Sequence, residues 1–140
     1  MPPQKITVSI KVSAPLSKTW TAFTDPAHIT KWNFASEDWQ CPAATNDLKP
    51  GGSFSSRMES KDGSMGFDFG GTYTEVTPNE SFSYTMNGED ARKVTVSFKE
   101  EGGETTVTEV FDPETENPIE MQKAGWQAIL ENFKKHVETA

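Results

Sequence analysis

Hydrophobic positions along this chain follow two different periods. From residue 6 to residue 12 they alternate: Ile6, Val8, Ile10 and Val12 are separated by Thr7, Ser9 and Lys11. That alternation predicts a strand with one buried face. The period then lengthens. Ala14-Pro15 opens a helix with Leu16, Trp20 and Phe23 on one side. Asp25-Pro26 caps and starts a shorter helix on which Ile29 and Trp32 share a face. Residues 33–49 carry less pattern. They hold Phe34, Trp39, Cys41-Pro42 and Asn46-Asp47. Part of this stretch is expected to form an edge strand, because proline is poorly tolerated in a central one.

Alternation returns after the turn signal Lys49-Pro50-Gly51-Gly52. Phe54, Ser56 and Met58 share one side of a strand, and Lys61-Asp62-Gly63 closes a hairpin. The next strand, 66–76, places Phe67, Phe69, Gly71 and Tyr73 on one side. Thr77-Pro78-Asn79-Glu80 turns it. Phe82, Tyr84 and Met86 alternate next, Asn87-Gly88 makes a further turn, and Val94, Val96 and Phe98 follow. Glu101-Gly102-Gly103 leads into a last strand, 105–111, which Asp112-Pro113 ends.

Residues 117–137 then read as one long helix. Asn117 suits the N-cap, Pro118 the first position and Glu120 a capping box. At 100° per residue, Ile119, Trp126, Ile129, Leu130, Phe133 and Val137 fall on one face. Lys123, Gln127, Glu131, Lys134 and Glu138 fall opposite. Lys134, Lys135 and His136 occupy the last turn, where the helix dipole favours positive charge. Two residues interrupt the apolar face. Gly125 costs roughly 1 kcal/mol against Ala in a helix, and a glycine there predicts close approach to another backbone. Gln122 either carries an amide into the interior or lies partly exposed one turn from the helix start.

Consecutive strands joined by tight turns predict an antiparallel sheet. A helix with one wide apolar face must cover such a sheet. The fold class is therefore α+β, in one domain spanning 1–140, and 140 residues suffice for a substantial core.

Charge narrows the partners. Lys and Arg number 13 against 21 Asp and Glu, a net charge of −8. Nucleic acid and anionic membrane both require a basic patch, so neither is expected as a partner. Pairs such as Glu100-Glu101 read as solvated strand ends. Cys41 is the only cysteine, which excludes an internal disulfide and a Cys-rich zinc site, and it reads as a small apolar residue. No apolar run is long enough to cross a membrane. The first residues lead directly into a strand pattern instead of a signal peptide, so a cytoplasmic location is expected.

This order of pieces resembles the START-like (SRPBCC) superfamily, and within it the family named for the activator of the Hsp90 ATPase (AHSA1-like). The resemblance rests on Ala14-Pro15 with Trp20 and Phe23, and on Asp25-Pro26 with Ile29 and Trp32. It continues through Asp47-Leu48-Lys49-Pro50-Gly51-Gly52-Ser53-Phe54 and Phe67-Asp68-Phe69-Gly70-Gly71-Thr72-Tyr73-Thr74-Glu75-Val76-Thr77-Pro78. Thr106-Val107-Thr108-Glu109 and Gly125-Trp126, with Leu130 one turn on, complete it. It implies a helix-grip fold: a curved antiparallel sheet wrapped around the long C-terminal helix, with two short helices after the first strand. It also implies a cavity between sheet and helix, and strand edges that allow a homodimer.

Candidate chemistry follows from which side chains face that space. No nucleophile elbow, P-loop, dinucleotide fingerprint or zinc-protease motif is present. His28 and His136 sit at far ends of the chain, and nothing in the spacing brings a carboxylate to both, so no metal or other cofactor is expected. Glu109 is the sharpest acid. If it shares the inward parity of Val107 and Phe111, burial raises its pKa and suits it to acid–base work. If Thr106, Thr108 and Val110 point inward, it faces solvent, and a bulge would also change the parity. Asp47 reads as a turn residue. Nine Phe, four Trp and two Tyr make up 11% of the chain. Of these, Trp32, Phe34 and Trp39 either plug one end of the core or rim the cavity.

The expected function is non-catalytic binding of a small apolar, aromatic or amphipathic molecule. The candidate ligand-binding residues are Trp32, Phe34, Trp39, Met58, Phe67, Phe69, Tyr84, Glu109, Gln122, Trp126 and Ile129. Two alternatives stand beside it. One is a polyketide cyclase or other enzyme of aromatic substrates using an inward acid. The other is a co-chaperone-type interaction module, against which the lack of the namesake's extra domain counts.

Overall fold

The computed structural model describes residues 5–34, 37–86, 92–113 and 118–139. Its elements run β1 (Ile6–Val12), α1 (Leu16–Thr24), α2 (Pro26–Ile29), β2 (Trp39–Asn46), β3 (Ser53–Ser60), β4 (Gly66–Thr77), β5 (Ser81–Met86), β6 (Lys93–Glu101), β7 (Glu104–Phe111) and α3 (Ile119–Thr139). The strands form one seven-stranded sheet in the order β1-β7-β6-β5-β4-β3-β2, antiparallel at every pairing. β1 and β2 are therefore at opposite edges. α1 and α2 carry the chain from one edge to the other, and a continuous meander brings it back beside β1.

Two irregularities bend the sheet. The β2–β3 register shifts between Gln40 and Ala43, around Cys41 and Pro42. Proline is accommodated there because an edge strand at a bulge does not need its missing N–H. A second shift separates Tyr73 from Glu75 in the β4–β5 pair. The Lys49–Gly52 turn is pinned to β4: the Gly51 N–H donates to Tyr73 O, and the Tyr73 N–H donates to Gly52 O. A Cβ at Gly52 would collide with the Asp47 carbonyl, so the turn closes only with glycine there.

α3 lies closest to β1 and α1. Leu130, Phe133 and Val137 are fully buried, together with Val12, Val96, Val107 and Phe111 from the sheet. The Phe133 ring centroid lies 5.1 Å from that of Phe23 and 5.0 Å from that of Trp32, edge-to-face in both cases. Trp32, just past α2, donates its indole N–H to Ala22 O at 2.9 Å. Polar side chains fasten the same corner. Lys134 Nζ donates to Lys11 O, and the Glu138 carboxylate accepts from the Ser13 N–H.

The helix ends depart from expectation in instructive ways. α3 begins at Ile119, with the Pro118 carbonyl accepting its first bonds. The expected cap Asn117 and the expected Asn87-Gly88 turn lie outside the described residues. Ile119 is 43% exposed, because the stripe reaches the core only further along the helix. A Cβ at Gly125 would meet nothing within 4 Å, so no backbone approaches closely there. Glu100 is not simply a solvated strand end: its carboxylate accepts from the Leu16 N–H at 2.9 Å. It thus caps α1, whose own N-cap residue, Pro15, has no side-chain acceptor.

The two histidines, distant in sequence, meet. His28 Nδ1 and His136 Nε2 are 2.8 Å apart and share a hydrogen bond between α2 and the end of α3. Partial burial lowers the His136 pKa, and the charges of His28, Lys31 and Lys18 lower it further. Among the described residues no group of three or more His, Cys, Asp or Glu could hold a metal ion. Among them, too, no helix is long and apolar enough to cross a membrane.

Phe133→Ala is expected to cost about 3–5 kcal/mol in denaturant unfolding, the usual result of truncating a fully buried aromatic. The histidine pair sets a pH limit. A base whose folded pKa lies below its unfolded value leaves stability intact above the unfolded value, here 6.5, and lost as pH falls below it. Acidification below that point should therefore lower the melting temperature, and His136→Gln should remove that part of the dependence.

Candidate functional site

Parity decides what the sheet presents to α3. β5 alternates with Phe82, Tyr84 and Met86 buried, and β7 with Thr105, Val107, Glu109 and Phe111 buried. β3 sends Phe54, Ser56 and Met58 to the same side, and β4 sends Phe67, Phe69 and Tyr73. α3 comes close to β1 but stands off from the far half of the sheet. A cavity of about 200 Å³ remains between them.

Its walls are mostly aromatic. β3, β4 and β5 contribute Phe54, Phe67, Phe69, Tyr73, Phe82 and Tyr84. α3 contributes Trp126 and Ile129, and the α1–α2 region contributes Phe23, Ile29, Trp32 and Asn33. Rings brace one another around the space: Phe54 meets Tyr84 edge-to-face at 4.7 Å, and Phe69 meets Trp126 the same way at 6.1 Å. Trp126 also stacks on Phe111 at 3.8 Å and 15°, which fixes its indole. Phe67 is 49% exposed although it lines the cavity, so the cavity opens to solvent beside it.

The polar lining is sparse. Tyr73 Oη donates to Asn46 Oδ1 at 2.6 Å, and Asn46 Nδ2 donates to Thr24 O at 2.6 Å, tying β4, β2 and the end of α1 together. Burial raises the Tyr73 phenol, against the hydrogen bond to Asn46. Burial also raises the Tyr84 phenol, and the neighbouring Glu109 charge adds to it.

Glu109 takes the inward parity of Val107 and Phe111 and is 7% exposed. Its register partners on the two flanking strands are Val8 and Val96. No described residue hydrogen-bonds its carboxylate, which lines the cavity. Burial in these apolar surroundings raises its pKa from 4.5 to about 8.

Of the residues singled out from the sequence, Trp32, Met58, Phe67, Phe69, Tyr84, Glu109, Trp126 and Ile129 line the cavity. Phe34, Trp39 and Gln122 do not border it. The Phe34 carbonyl accepts from Asn132 Nδ2 on α3. The Trp39 ring stands 6.1 Å from Phe67, outside the mouth. Gln122 is buried at the start of α3, away from the lining. Sequence reasoning passed over Phe54, Ser56, Tyr73 and Phe82, although each shares strand parity with a residue it chose. Asn33, Asn46 and Phe23 carried no such signal, because tertiary packing alone brings them to the wall.

A curled antiparallel sheet with a long C-terminal helix across its concave face, and a cavity between them, defines a helix-grip protein. The family profile described as activator of Hsp90 ATPase homolog 1-like protein matches residues 13–138. The chain belongs to this AHSA1-like family. A solved AHSA1-like protein from Aeromonas hydrophila is 43% identical with a TM-score of 0.86, over 96% of this chain and 93% of that one. A solved protein from Cytophaga hutchinsonii is 50% identical with a TM-score of 0.82, over 96% and 92%. Another, from Chromobacterium violaceum, is 26% identical with a TM-score of 0.86, over 97% and 99%. No curated protein matches the chain.

The position of Glu109 has a thermodynamic signature. An acid whose folded pKa is raised leaves stability fully present below its unfolded value, 4.5, and lost as pH rises through the folded value near 8. Glu109→Gln cannot ionise. Above about pH 8 it should be more stable than the wild type by more than about 1.4 kcal/mol, the equivalent of one pKa unit. Urea titrations of both proteins at several pH values would show the two curves separating as pH rises.

Proposed function

We propose that the protein is a non-catalytic binder of a small hydrophobic or amphipathic molecule, held between α3 and β3–β5. The observation that supports this reading most directly is the cavity itself. Ligand sites are typically apolar concavities with a few placed polar groups, and here aromatic walls surround Glu109, Tyr84 and the Tyr73–Asn46 pair. Size limits the ligand. An apolar cavity of about 150 Å³ holds benzene, so about 200 Å³ suits one or two rings, or a short chain extending through the mouth beside Phe67. The ligand-binding residues proposed are those on the wall.

A second reading draws on Glu109 alone. A carboxyl with a pKa near 8 exists in both protonation states around neutrality, as a general acid or base requires. Under that reading the site would turn over an aromatic, polyketide-like substrate, and Glu109→Gln would abolish turnover while keeping substrate affinity.

A thermal-shift screen of small aromatics and short-chain amphiphiles tests the binding reading. A ligand at about 100 times its dissociation constant should add roughly 2.7 kcal/mol of stability, visible as a clear rise in melting temperature. NMR shifts should follow at Phe69, Tyr84 and Trp126 and spare Lys123 and Glu131 on the outer face of α3. Shifts confined to that outer face, or no binder from a broad screen, would defeat the proposal.

A further inference from the structure

We propose that the cavity selects small aromatic amines, with the ammonium against the Glu109 carboxylate and the aromatic part among Phe69, Tyr84 and Trp126. This inference rests on the binding reading above and names its ligand class.

The lining carries the argument. Glu109 is the one charged residue among the described residues that border the cavity, and its carboxylate is engaged by no described hydrogen-bond donor. The rest of the wall is dominated by aromatic rings. Ring faces carry negative potential and attract a cation placed over them. An acid and a set of aromatic walls therefore bias the cavity in the same direction, and the net charge of −8 adds to it. A fatty or aromatic carboxylate would enter a site with no cationic group among its described lining residues and with an acid already inside.

A neutral ligand would use the apolar walls but leave the carboxyl without its strongest partner. An ammonium supplies a charge-assisted hydrogen bond to it. The volume of about 200 Å³ accommodates a single ring with a short aminoalkyl chain.

Proton balance follows. Burial holds Glu109 protonated near neutrality in the empty cavity. When a protonated amine enters, the Glu109 O–H bond breaks, the proton leaves to solvent, and the ammonium–carboxylate pair remains. Among the described residues, the titratable and charged groups facing Glu109 are few. Tyr84 on β5 feels its charge directly, and Tyr73 on β4 and Arg92, just before β6, also act on Tyr84. β1 and β6 set only Val8 and Val96 opposite it, and α3 sets Trp126 and Ile129 on the facing wall. Both phenols are raised by burial and stay neutral, so the released proton comes from Glu109.

The test compares three probes of one shape: 2-phenylethylamine, 2-phenylethanol and 3-phenylpropanoate, titrated into the wild type and into Glu109→Gln by calorimetry. The wild type is expected to bind the amine at least about tenfold more tightly than the alcohol, a difference of about 1.4 kcal/mol, and the carboxylate most weakly. Amine affinity should rise with pH between about 6 and 8, and the observed heat should vary with the buffer as a proton is released. In Glu109→Gln the amine preference, the pH dependence and the proton release should all disappear. Native-like dispersion of the Trp126 and Tyr84 resonances in the ligand-free variant shows that it is folded, so a lost amine preference reports on the carboxylate.

Alcohol bound as tightly as amine by the wild type, or amine affinity retained in Glu109→Gln, would overturn the amine assignment and leave the binding reading standing. If none of the three shifts the Trp126 and Tyr84 resonances at millimolar concentration, the amine assignment falls. The broader thermal-shift screen then decides the binding reading separately.

Discussion

A straight helix cannot follow a curled sheet along its whole length, and the structure is built around that mismatch. Leu130, Phe133 and Val137 meet β1, α1 and the neighbouring strands closely enough to exclude solvent. Over β3–β5 the same helix stands off, and ordinary aliphatic side chains would leave too wide a gap. Large rings span it. Trp126 stacks on Phe111 and meets Phe69, while Phe54, Tyr73 and Tyr84 brace one another below. The aromatic content serves this geometry, and the space the rings do not fill is the cavity.

Glu109 belongs to the same constraint. Any residue at its position on β7 points to the concave face, between the apolar neighbours Val8 and Val96. A carboxyl there weakens the fold whenever it ionises. A valine in its place would pack with less desolvation cost. Sites that hold a polar group in a strained or desolvated state commonly give up stability for function, and here the group faces the cavity between sheet and helix.

The end of α3 and the outer ends of α1 and α2 are fastened differently. Glu100 caps α1 across the fold, Glu138 accepts from Ser13, and His28 meets His136. These contacts hold α1, α2 and the end of α3 as one block on the β1 side. The mouth lies beside the half-exposed Phe67 and the edge strand β2. One end of the helix is thereby fixed while the other borders an opening.

The succession of elements along the chain, the antiparallel pairing of consecutive strands, both short helices and the long helix were legible in the sequence, whereas the pairing of β1 with β7 was not. Each depends on a period of two or 3.6 or on a turn or cap signal that acts over a few residues. Inward parity on β3, β4 and β5 was legible for the same reason, and extending it would have named Phe54, Tyr73 and Phe82 as well. Parity alone left Glu109 undecided, because either face of β7 offered a consistent set; the registers with β1 and β6 place it inward. Gly125 looked like a close backbone contact and proved to face open space, since a sequence records a missing side chain but not what stands opposite. The meeting of His28 with His136, the capping of α1 by Glu100, and the arrival of Asn33 and Asn46 at the cavity wall all join residues distant along the chain. Such pairings depend on how the sheet curls and where the helix crosses it, and that is fixed only when the whole chain packs.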